Sequence, residues 1–76
     1  MKFEMTARTD IYASSGCKTL MKRGEKFTMD NGKSDNTKPT IDQVKAVITA
    51  LYGAEPKFNW SAIPEEYFDV KCLWKN

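Results

Sequence analysis

Residues 3 to 11 alternate without a break. Phe3, Met5, Ala7, Thr9 and Ile11 fall on one side, and Glu4, Thr6, Arg8 and Asp10 on the other. A period of two with a polar outer face predicts a half-buried strand. The next residues, "SSG", supply turn chemistry: serine hydroxyls bond nearby backbone, and Gly16 tolerates positive φ. A second strand is expected from about Cys17 to Lys22. "KRGE" then closes a hairpin with Gly24 in the left-handed position, and "KFTMD" returns as a third strand. "DNGKSDNTK" has no hydrophobic side chain and reads as an exposed, mobile loop.

The period changes at Thr40. Ile41, Val44, Val47, Ile48 and Leu51 recur at helical spacing. Thr40 and Gln43 have the spacing of a capping box, Asp42 sits at the positive end of the helix dipole, and Gly53 ends the helix. A helix of about twelve residues is marginal alone, so its apolar stripe must dock on the sheet. Beyond it, Pro56 and Pro64 bracket a connection whose Phe58, Trp60 and Ile63 are expected under the core edge. A last strand from about Tyr67 to Trp74 sets Phe68, Val70, Cys72 and Trp74 on one face, with Tyr67, Asp69, Lys71 and Leu73 on the other. The order β-β-β-α-β predicts a single α+β domain over 1–76, a small antiparallel sheet of about four strands with one helix on one face. Pairing the last strand beside the first would let both apolar faces line the helix.

Length sharpens this picture. A chain of 76 residues buries only about 60% of the surface its unfolded form exposes, so the core is thin and self-association is one way to reinforce it. Metal is a poor supplement, because the chain has no histidine and only two thiols, Cys17 and Cys72. Those two allow a single pairing, but without a secretory leader reduced thiols are expected. The first twelve residues carry Glu4, Arg8 and Asp10 where a signal peptide needs an apolar run, and no stretch approaches a membrane span. A cytoplasmic location follows as an expectation. An intact Met1 and few distinguishing residues give the look of a complete accessory protein of a bacterium or phage.

Motifs for chemistry fail one after another. "SSGCKT" evokes a phosphate cradle, yet Cys17 separates Gly16 from Lys18 and a strand follows where a helix N-terminus is required. The same stretch lacks the hydrophobic lead-in of a lipoprotein box. Cys17 has no histidine to activate it as a nucleophile, and Cys72 reads as a small core hydrophobe. A calcium loop counted from Asp30 would need glycine at Asp35 and glutamate at Ile41. Glu65 and Glu66 are adjacent, so in extended chain they diverge and cannot share a pocket as acid and base. "NWS" at Asn59 matches a glycosylation acceptor, which only a secreted chain would use. No catalytic residue, metal or cofactor is expected, and no motif carries a family signature.

Two binding readings remain. The net charge is only +2, from twelve bases and ten acids. Its distribution is uneven. Residues 18–38 hold six bases (Lys18, Lys22, Arg23, Lys26, Lys33, Lys38) against three acids, whereas 54–70 holds four acids against one base. The basic cluster would let a hairpin follow a phosphate backbone, although it lacks the aromatic platforms of single-strand recognition. The favoured reading is a non-enzymatic protein-interaction or self-associating module, possibly a homodimer. Trp60, Tyr67 and Leu73, with Tyr12 and Tyr52, exceed what one sheet face and one short helix would cover. Trp and Tyr tend to dominate interfaces, and an uncovered edge strand invites another chain.

Overall fold

The computed structural model describes residues 1–16, 18–59 and 61–73. Among them lie five strands, β1 (Lys2–Ala7), β2 (Ile11–Tyr12), β3 (Thr19–Met21), β4 (Lys26–Asp30) and β5 (Phe68–Leu73). Between β4 and β5 come one helix, α1 (Ile41–Tyr52), and a 3₁₀ turn, Pro64–Glu66. The strands form an antiparallel sheet in the order β4-β1-β5 and a separate β2-β3 pair. This is the expected α+β class and chain order, with the last strand beside the first, but the strands are divided between two small sheets.

The division has a local cause. Thr6 pairs with Lys26 and Ile11 with Met21. The second pair lies five residues further along each arm, so residues 2–12 and 19–30 form one long ribbon that bends. Its turn is the expected one: the Ala13 amide donates to the Lys18 carbonyl at 2.8 Å, and Gly16 has φ 89°. The bend is at "KRGE". There the Glu25 amide closes a turn on the Lys22 carbonyl at 3.0 Å. The Gly24 amide donates to the Ala7 carbonyl, and the Ala7 amide to the Glu25 carbonyl. With Gly24 at φ 92°, two residues face one across the ribbon, which is a glycine-type bulge. The expected hairpin between β3 and β4 therefore does not form; each pairs with its own half of the opposite arm. On that arm the Asp10 carboxylate accepts the Arg23 amide at 2.8 Å. Alternation breaks there too, since Thr9 is exposed although Ile11 and Ala13 return to the interior.

One core unites both sheets and the helix. Phe3, Met5 and Ala7 of β1 are buried with Met29, Phe68, Ile11, Met21, Val44 and Ile48. Phe27 meets Phe68 edge-on at 5.7 Å. The capping box forms as expected: the Gln43 amide donates to Thr40 Oγ1 and the Thr40 amide to Gln43 Oε1. Gly53 takes the left-handed position that ends α1. The apolar stripe runs out before the helix does, leaving Leu51 57% exposed.

The polar segment after β4 is pinned. Asn31 is 3% exposed and fully partnered. Its Nδ2 donates to the carbonyls of Asp35 and Thr37, and its Oδ1 accepts the Lys33 amide. Its carbonyl accepts from Gln43 Nε2, which ties the segment to the start of α1. A buried amide with every group satisfied holds such a loop in one conformation, whereas composition alone predicted mobility.

Candidate protein-contact surface

The backbone of β1 decides which side of each neighbour stays open. Arg8 donates its amide to the Tyr67 carbonyl, toward β5, whereas Ala7 exchanges its groups with Gly24 and Glu25, toward the β4 arm. Antiparallel strands alternate in this way residue by residue. With Thr6 opposite Asp69, Glu4 opposite Lys71 and Lys2 opposite Leu73, those three β5 residues spend their backbone groups on β1. Phe68, Val70 and Cys72 direct theirs away from the sheet. Among the described residues no hydrogen-bond partner meets them there.

The side chains along this edge are mixed. Phe68 is buried beneath Phe58, at 6.1 Å, while Val70, Cys72 and Leu73 are half-buried. Cys72 is a free cysteine among the described residues. Asp69 and Lys71 are exposed on the outer face, Asp69 lying 3.7 Å from the Arg8 guanidinium.

Of the expected interface residues, Tyr67 immediately precedes β5 and Leu73 ends it, about 20 Å apart at ordinary strand rise. They are not brought together. Tyr67 turns inward: its ring lies against Phe58 at 4.6 Å and its hydroxyl accepts the Asn59 amide at 3.1 Å. Leu73 stays on the outer face opposite Lys2. Trp60 lies outside the described residues, as do Cys17, rejected above as a nucleophile, and Trp74, assigned to the apolar face of the last strand.

A second apolar surface opens where the start of α1 meets the chain before β5. Pro39, Ile41, Ala62, Ile63 and Pro64 line a groove of about 410 Å³ with Lys38 and Glu65 at its rim. Ile63, expected under the core edge, is 57% exposed. Lys38 Nζ stands 2.9 Å from Glu65 Oε2, and this hydrogen-bonded lysine holds the Glu65 carboxyl below its ordinary range. Glu66 instead accepts the Ile63 amide at 2.9 Å. The adjacent carboxylates are thus drawn to separate partners, and neither is aimed with the other at a common pocket.

The six bases of 18–38 do not form one patch. Lys18 is at the ribbon turn and Lys33 beyond the far end of β4, with its carbonyl accepting the N-terminal ammonium. Lys26 faces Glu4 at 4.0 Å and Lys38 is held by Glu65. Lys22 and Arg23 flank the bend with exposed side chains. On the outer face of the three-stranded sheet, Lys2, Lys26 and Lys71 alternate with Glu4, Asp30 and Asp69, a balance that gives a phosphate backbone no net attraction.

Among the described residues no cluster of three or more His, Cys, Asp or Glu gathers as a metal site, and no helix is long and apolar enough to cross a membrane. No family model, curated protein or solved structure matches the chain.

The open edge was only partly readable from sequence. Alternation marks about 67–74 as a strand, but whether it is central or at an edge depends on pairings far away in the chain. The groove had no signal at all, because it is made by two segments more than twenty residues apart.

Proposed function

We propose that this chain acts by binding another polypeptide, as a non-enzymatic contact module. One observation carries the reading: a six-residue strand, β5, whose outward backbone groups meet no hydrogen-bond partner among the described residues, with half-buried Val70 and Cys72 beside them. An extended segment laid along such an edge satisfies those groups and covers the apolar side chains, the usual mode of strand addition. The groove at Ile63 supplies a second apolar contact on the same molecule.

The test is capture from an extract of the cells that make the protein, after nuclease treatment. Immobilised wild type retains a discrete polypeptide, its own chain included, and Val70→Pro releases it. Proline at this position removes only an outward amide, so the β1 pairing survives. Retention that is indifferent to Val70→Pro overturns the reading.

A second reading, weak nucleic-acid binding, draws on Lys18, Lys22 and Arg23, whose side chains are exposed and enter no ion pair among the described residues. It requires binding that falls steeply with salt and is lost when Lys22 and Arg23 become glutamine.

A further inference from the structure

We infer that the polypeptide which fits the β5 edge is a second copy of β5, running antiparallel with Val70 on the two-fold axis. The inference rests on the contact reading above and names its occupant.

Two independent features select this register. The first is backbone parity. Only Phe68, Val70 and Cys72 direct their groups outward, as the Arg8-to-Tyr67 bond and the β1–β5 register require. Placing Val70 opposite Val70 of the other copy sets Phe68 opposite Cys72 on both sides, so all three residues are engaged at once. Shifting the axis to Asp69 or to Lys71 engages only two of the three.

The second feature is charge. With Val70 on the axis, Asp69 of each copy faces Lys71 of the other. These are non-hydrogen-bonded positions, where Cα atoms approach to about 4.5 Å and side chains interact most closely. An axis at Asp69 instead sets two carboxylates against each other, and an axis at Lys71 sets two ammonium groups. The sequence "FDVKC" is charge-antisymmetric about its centre, and both charged side chains are exposed on one face.

The product is a continuous six-stranded sheet, β4-β1-β5-β5-β1-β4, with both helices on the same face because the axis is perpendicular to the sheet. Val70 and Cys72 of each copy gain apolar neighbours. The opposite edge, β4, directs the backbone groups of Lys26, Thr28 and Asp30 outward, where they meet no partner among the described residues. Lysine on an edge is a common device against pairing. Its Asp30 carboxylate is already engaged by the Gly32 amide and the N-terminal ammonium.

The test is a charge swap at positions 69 and 71, read by analytical ultracentrifugation from low micromolar to millimolar concentration. Wild type sediments as a monomer–dimer equilibrium. Asp69→Lys and Lys71→Asp alone each weaken dimerisation about tenfold, since two attractive cross-strand pairs become repulsive. An equal mixture of the two variants restores it, as does the double exchange Asp69→Lys/Lys71→Asp in one chain. Only a register that opposes 69 to 71 gives that pattern. Amide exchange by NMR adds a second readout: Phe68, Val70 and Cys72 gain protection with concentration while Lys26, Thr28 and Asp30 do not.

Three results overturn the inference. One is a monomer at all concentrations, which leaves the contact reading standing if Val70→Pro still releases a captured partner. Another is a dimer that ignores the charge variants. The third is a mixture no stronger than its parts.

Discussion

β1 and β5 are both six-residue strands, paired to each other, with inward apolar residues alternating with outward ones that are polar except for Leu73. Yet Phe3, Met5 and Ala7 of β1 are at most 2% exposed, while Val70 and Cys72 remain half-buried. The difference is position. β1 has a neighbour on each side, so its backbone groups are consumed and its inward side chains are surrounded. Among the described residues β5 has one neighbouring strand, and its outward row of donors and acceptors meets no partner. In a chain this small the core strand fixes the fold, and the strand beside it is left to meet the outside.

The largest effect expected from this contrast is at the partners Met5 and Val70. Met5→Pro removes an amide directed at β4 and opens the middle of the sheet, so the protein loses its cooperative unfolding transition. Val70→Pro retains that transition by circular dichroism. Phe3 and its partner Cys72 repeat the comparison with less violence: Phe3→Ala lowers stability by about 3–5 kcal/mol in urea unfolding, and Cys72→Ala by about 1 kcal/mol or less. Equal losses at the two positions would erase the distinction between centre and edge.

Just past the other edge strand, Asn31→Ala costs about 2 kcal/mol, because the carbonyls and amide it serves lose a buried partner. Amide exchange in residues 32–38 quickens at the same time, which separates an ordered loop from a mobile one. Thr40→Ala costs about 1 kcal/mol through loss of the cap, with no change in exchange along β1 or β5.

Acid gives the smallest effect. The Gly32 amide above all, helped by the N-terminal ammonium, holds Asp30 below its ordinary range. Thr37 does the same for Asp35, and Lys38 for Glu65. A carboxyl whose folded value is depressed contributes stability that is complete above its unfolded value, about 4. That contribution is lost as the pH falls through the lower folded value. The urea midpoint should therefore hold through the neutral range and drop below about pH 4, and Glu65→Gln should remove part of the drop.

Legibility followed the range of the interactions. The helix, its capping box and its terminating glycine involve residues three or four apart, and all were readable from "TIDQ" and Gly53. The same holds for the ribbon turn at Gly16. "KRGE" misled because a glycine turn flanked by strands has the same local signature whether those strands pair with each other or diverge around a bulge. Ile63 and Leu51 matched apolar patterns and stand exposed, since a pattern gives a side chain's direction without supplying a neighbour to cover it. The loop at 31–38 looked mobile because its order comes from Asn31, a polar residue whose burial no composition reveals.

What the sequence alone determined is the alternation that makes strands, the period and caps of one helix, and an α+β order with no recognisable catalytic set. Tertiary structure decided which strand lies between two others, where the ribbon bends, and that Phe68, Val70 and Cys72 send their backbone groups outward. Local steric and hydrogen-bond preferences act within a few residues and can be read in order. Edge status belongs to pairings between residues more than sixty positions apart, and only the folded chain brings those together.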